Sequence, residues 1–138
     1  MIQRQQSLWL LPSAISSILS FKLPFYNGTK KIDNLIVSAE LHGGSTFFLV
    51  VFTGASLILA LITIFLFKDR KLQLRITIVG AVIAVLTLIF YFVEMKKFET
   101  GTISLSCLFA FITAVGFIMA ARGIWKDEKL VKSLDKLR

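Results

Sequence analysis

The stretch from Phe47 to Phe67, FFLVVFTGASLILALITIFLF, decides how this chain is read. It carries no charge, and it is as long as the roughly 20 apolar residues that a helix needs to cross a hydrocarbon core. Two further stretches share this character: Ile76 to Val93 (ITIVGAVIAVLTLIFYFV) and Ile103 to Ala121 (ISLSCLFAFITAVGFIMAA). Each predicts a transmembrane helix. A fourth stretch, Ser7 to about Phe25 (SLWLLPSAISSILSFKLPF), is less regular, because it holds Pro12, several serines and Lys22. A secretory signal peptide is the rival reading, since Arg4 precedes an apolar run. Phe21, Lys22, Leu23 and Pro24 follow Ser20, where a small-residue cleavage site would be needed, so an uncleaved helix is expected.

Composition agrees with this reading. Of 138 residues 56% are hydrophobic and 17% charged, too few polar residues to cover a water-soluble domain. The apolar residues come in blocks rather than in alternation, and the length allows one domain. The net charge of +8 raises nucleic acid as a partner. The cations flank the apolar blocks, however, which favours anionic lipid headgroups, at about 1 kcal/mol per cation near the surface. No nucleic-acid role is expected. Cys107 is the only cysteine, which excludes paired-cysteine redox chemistry.

Orientation follows from the Lys and Arg near the helix ends. With the N-terminus inside, eleven cations fall on the cytoplasmic side, among them Arg4, the Lys68 to Arg75 group and the six from Arg122 to Arg138. Five fall outside: Lys22, Lys30, Lys31, Lys96 and Lys97. Trp9 and Trp125 then mark the inner interface, Tyr26 and Tyr91 the outer. The expected fold is all-α: an integral membrane four-helix bundle, N-in/C-in, with a short amphipathic C-terminal cytoplasmic helix. Residues 1–138 form a single membrane domain with spans 7–25, 47–67, 76–93 and 103–121. Outer loops cover 26–46 and 94–102, an inner loop 68–75, and a cytoplasmic tail 122–138. The eight-residue inner loop makes helices two and three antiparallel neighbours. In the first outer loop, Asn27-Gly28 is a hairpin-turn dipeptide and Ile32 to Val37 is rich in β-branched residues, which suggests a short hairpin over the bundle. Asn27-Gly28-Thr29 also matches a glycosylation sequon, a tripeptide that arises often by chance.

Ionisable groups deep in a bilayer would point to transport or proton relay. The three regular spans have none, and Lys22, near the outer end of the first, is expected to snorkel to the headgroups. Ser13, Ser16, Ser17 and Ser20 recur at i, i+3, i+4 and i+7 and so share one helix face. Small hydroxylated residues let membrane helices approach closely, so this stripe predicts helix packing, with a polar solute path as the alternative. Cys107, Ala110, Ala114 and Ala121 form a similar stripe, and Gly80 and Ala84 a small-xxx-small pair. His42 beside Gly43 and Gly44 lacks the companions a metal site needs. Asp33, Glu40, Glu94 and Glu99 could act as outer-surface acid and base, but their spacing requires nothing beyond solvated loop charges. With no phosphate loop, nucleophile elbow or metal motif, an enzyme is not expected, and no cofactor.

The tail carries the most information among the polar segments. Leu130, Val131, Leu134 and Leu137 recur with the period of an amphipathic helix. Glu128 and Lys132 are a favourable i,i+4 pair. Following Trp125, the cations Lys126, Lys129, Lys132, Lys136 and Arg138 would hold such a helix along the inner membrane surface. Topology alone needs only the cations, so the apolar stripe asks for lipid or a protein partner.

The opening Met1-Ile2-Gln3-Arg4-Gln5-Gln6-Ser7-Leu8, the link Phe67 to Arg75 (FKDRKLQLR) and the close Lys126 to Arg138 (KDEKLVKSLDKLR) resemble a family of four-helix membrane proteins from Bacteroidetes bacteria, domain of unknown function 4293. The resemblance covers the whole chain, the tail being its most specific part. It implies a multi-pass protein of a bacterial inner membrane and brings no activity with it. The function class expected from the residues is a non-enzymatic accessory or scaffold subunit with a membrane-protein partner. The alternatives are a small transporter or channel, then a membrane-bound enzyme using the outer-loop acids.

Overall fold

A computed structural model describes residues 3–138, so Met1 and Ile2 of the opening octet lie outside the described residues. The order is α1 (Gln3–Lys22), β1 (Tyr26–Ile32), β2 (Leu35–Leu41), α2 (Phe47–Phe65), α3 (Arg70–Met95), β3 (Thr100–Ile103) and α4 (Cys107–Lys136). The main helix contacts run α1–α2, α2–α3, α3–α4 and α4–α1, which closes a ring. Among the described residues, α2, α3 and α4 are long and apolar enough to cross a membrane. α1, with its serines and Pro12, is not one of them.

Helix boundaries depart from the apolar runs in an instructive way. Charged residues at the ends of a run remain good helix formers, so hydrogen bonding continues past the apolar limit. α3 starts at Arg70 rather than Ile76, leaving Leu66 to Asp69 to join α2 to α3. α4 shows the larger departure. The expected helix end at Ala121 and separate surface helix from Lys126 are corrected to one unbroken helix of 30 residues. At about 1.5 Å per residue it is about 45 Å long. α2, which runs the same way, has 19 residues. Ala110 and Leu49 pack in one cluster, so the two helices start at similar depth and α4 overhangs α2 by about 15 Å.

The expectation of an all-α fold is corrected by a three-stranded sheet of order β2-β1-β3. The hairpin exists, but its turn is not at Asn27-Gly28. Antiparallel pairing from Tyr26↔Leu41 to Ile32↔Leu35 places the turn at Asp33 and Asn34, with φ of 49° and 66°. Two positive φ values are what a type I′ turn needs, and Asp and Asn tolerate them. Gly28 serves the sheet instead. It faces Gly101 on β3, and a Cβ there would collide with the Thr100 carbonyl oxygen. β3 takes up Thr100 to Ile103, β-branched apart from Gly101, so Ile103 pairs with Tyr26 instead of opening the fourth helix.

The sheet covers the end of the ring formed by the α1 C-terminus and the α2 N-terminus. Gly43 N–H donates to the Ser20 carbonyl at 2.7 Å, and Ser104 N–H to the Phe25 carbonyl at 3.0 Å. Phe25 stacks on Tyr91 with ring centroids 4.3 Å apart, over Leu41, Leu49 and Ala110. The opposite end, where the α4 overhang begins, is the tail end of the ring.

Candidate functional site

The helices meet through small and hydroxylated residues and turn their large apolar side chains outward. Ser13, Ser16, Ser17 and Ser20 are all buried, together with Thr53, Ser56, Thr77 and Thr113. Ile58, Leu61, Val79, Val82, Ile89, Val115 and Ile118 face outward. A water-soluble monomer rarely exposes so much apolar surface.

The serine stripe brings α1 against both α2 and α4. Ser17 Oγ donates to the Ser13 carbonyl at 2.9 Å and lies 3.3 Å from Ser56 Oγ on α2. Ser13 Oγ donates to the Thr113 carbonyl of α4 at 3.3 Å. Interhelical bonds of this kind contribute about 0.6–2 kcal/mol each in lipid. On α3, Gly80 receives the Phe117 ring, which fills the place of a side chain, and Ala84 is buried beside it. Ala110 and Ala114 are buried, whereas Cys107 and Ala121 are only half-buried. The seam of α4 runs instead through Thr113, Gly116, Ala120 and Asp127. Gly116 is its tightest point: a Cβ would collide with Ser13 Oγ and sit 2.8 Å from the Trp9 carbonyl oxygen. Gly116 and Ala120 are themselves a small-xxx-small pair, a signal present in the sequence but masked by the neighbouring alanines.

At the tail end three buried polar residues tie the ring together. Gln6 Nε2 donates to the Asp127 carboxylate, across the whole length of the sequence. Gln73 Nε2 donates to the Thr63 carbonyl at 3.0 Å, joining α3 to α2. Sequence periodicity marks none of the three, because the partner of a single buried polar residue is not visible from its own helix.

Beyond Glu128 every residue of α4 is exposed. Leu130, Val131, Leu134 and Leu137 are 54%, 39%, 64% and 85% exposed. Lys132 Nζ pairs with Glu128 Oε1 at 2.9 Å. That hydrogen bond, with the nearby charges of Lys132 and Lys71, holds the Glu128 carboxyl below its ordinary range. Lys129 Nζ lies 5.7 Å from the ring of the exposed Trp125, a cation–π contact. Lys126, Lys136 and Arg138 are exposed as well.

The sheet end does not gather its acids. Asp33 sits in the hairpin turn, and Glu94 pairs with Lys97 at 2.6 Å. Glu40 and Glu99 are exposed, and His42 Nδ1 accepts from the Gly44 N–H at 3.1 Å. Among the described residues no group of three or more His, Cys, Asp or Glu is placed to hold a metal. Lys22 is exposed at the end of α1.

The chain belongs to the family described as domain of unknown function (DUF4293), which matches residues 2–137. No curated protein and no solved structure matches it.

Proposed function

We propose that this member of the family is a non-enzymatic accessory or scaffold subunit of a larger assembly in a bacterial inner membrane. In this reading it is a four-helix bundle with both termini in the cytoplasm, and α4 presents its overhang to a partner there. The overhang is the observation that carries the reading. It reaches about 15 Å beyond α2 and runs out into Leu137, the most exposed large apolar side chain among the described residues.

The occupant is a protein segment with an apolar strip and acidic flanks. Residues 122–138 carry six cations against three acids, which complements such a segment. A lipid surface fits less well. A straight α4 carries Leu134 and Leu137 away from the bilayer, where an in-plane amphipathic helix would keep them at the acyl boundary. Orientation rests on the excess of cations at the tail end, eleven against five.

The test is purification of the full chain in mild detergent with mass spectrometry of co-eluting proteins. A partner should be recovered with the wild type and lost from Leu134→Asp, which keeps every cation. Lipid docking would weaken by small steps with each Lys→Gln change and with added salt. A stand-alone oligomer whose thermal stability rises with a particular solute would overturn the accessory reading. It would favour a small transporter, for which the hydroxyl-lined interior is the one supporting feature.

A further inference from the structure

Five threonines are buried between the helices: Thr53, Thr63, Thr77, Thr87 and Thr113. Four turn the hydroxyl back to the carbonyl four residues earlier. Thr63 donates to Leu59 at 2.6 Å, Thr77 to Gln73 at 2.7 Å, Thr87 to Ile83 at 2.8 Å and Thr113 to Phe109 at 2.9 Å. This local bond is the usual way for a helix to satisfy a hydroxyl away from water. Thr53 departs from it. The residue is 2% exposed, yet its Oγ1 makes no hydrogen bond of normal geometry; the Tyr91 hydroxyl is the side-chain group that approaches it. Its carbonyl, by contrast, accepts from Ser56 Oγ at 2.8 Å.

Thr53 lines a cavity of about 10 Å³ together with Ser17, Ser20, Ser56, Thr87 and Tyr91. That volume is close to what one water centre needs, and a buried water needs two to four polar partners. The lining offers hydroxyls from all four helices, Thr113 of α4 included, and no carboxylate or ammonium. An ion would therefore have no counter-charge, and an organic solute would not fit. Toward the sheet end Phe25, stacked on Tyr91, lies over the same cluster.

We propose that this cavity is a binding site for one long-lived water, held by Thr53 Oγ1 and the serine hydroxyls of α1. The water joins α1 to α2 where their side chains alone leave a hydroxyl unpaired. It is a resident part of the packing, independent of any role for the tail.

The sign of one substitution, read together with a bound-water signal, separates the possibilities, since valine also gives up the approach of the Tyr91 hydroxyl. Thr53→Val keeps the β-branched shape and replaces the hydroxyl with a methyl group. If a water is bound, the valine strands it with fewer partners, and the full chain in lipid nanodiscs loses several degrees of Tm. If Thr53 is simply unpaired, removing its hydroxyl relieves a buried polar group and Tm holds or rises. Water-to-amide magnetisation transfer at the Thr53 and Ser56 amides gives the second reading. The expected result is a bound-water cross-peak in the wild type and Thr53→Ser, at least tenfold weaker in Thr53→Val. A wild type without that cross-peak, or a valine variant with equal or higher Tm, would overturn the proposal. Should Thr53→Val fail to fold, the wild type and Thr53→Ser decide alone, since both must show the cross-peak.

Discussion

Replacing Gly116 with alanine adds one methyl group at the α1–α4 crossing, where there is no room for it. The new Cβ collides with Ser13 Oγ, lies 2.8 Å from the Trp9 carbonyl oxygen and 3.3 Å from Ser13 Cβ. Ser13 Oγ can rotate away, but only by giving up its bond to Thr113, and the Trp9 carbonyl belongs to helix backbone. The two helices must therefore move apart. Overpacking of this sort is destabilising by about 1–3 kcal/mol. Against it stands the propensity gain of Ala over Gly inside a helix, about 1 kcal/mol. A net loss of about 1 kcal/mol is expected, which for a chain of this size is a fall in Tm of about 4 °C. Gly54 provides the internal control. A Cβ there meets only Phe21 Cζ at 3.9 Å, an ordinary contact, so Gly54→Ala keeps the propensity gain and raises Tm. Thermal unfolding of both variants in the same detergent measures the difference. Ser13→Ala combined with Gly116→Ala should recover part of the loss, because the hydroxyl is one of two obstacles. Gly116→Ala as stable as Gly54→Ala would refute the crossing described here.

The two ends of the molecule give further expected outcomes. In a Cys107→Ser background, Thr29→Cys should react with an impermeant thiol reagent added outside intact cells and Arg138→Cys should not; the reverse pattern would invert the proposed orientation. The lowered carboxyl of Glu128 ties tail stability to pH: because the folded value is depressed, its contribution is present above the ordinary carboxylate range and fades as pH falls through the lowered value. Helicity followed by circular dichroism should therefore drop between neutral pH and about pH 3 more in the wild type than in Glu128→Gln, and high salt should shrink the gap, as the pair is open to solvent.

Much of the architecture is legible from residue order because a membrane helix must satisfy its backbone within itself, which makes long apolar runs nearly unambiguous. The stretch Phe47 to Phe65 is such a case. The features that escape a sequence reading depend on partners. Arg122-Gly123 looks like a helix end, yet Gly123 lies inside α4, where a side chain would press on Gln6 Cγ at 3.3 Å. Its small size serves α1, far away in sequence. Asn27-Gly28 is the stronger turn dipeptide on local grounds, but the pairing with β3 claims that glycine and leaves the reversal to Asp33-Asn34. The serine stripe is visible as a face of α1, while the exceptional state of Thr53 needs the four other threonines in view. No sequence pattern distinguishes it from them.

The pairing of β1 with both its neighbours also sets a timetable. β2 follows β1 at once, whereas Thr100, the partner of Thr29, is made 71 residues later. At synthesis rates of about 5–20 residues per second, that interval is roughly 4–14 s. Until then the edge of β1 that β3 will cover lacks its partner, and an unpaired strand edge is the kind of surface that recruits stray strands. At Gly28 that edge carries no Cβ to obstruct the backbone of the strand that arrives later. Whatever escorts this chain during synthesis has a window of seconds in which to shield four residues of backbone, and the arrival of β3 closes it.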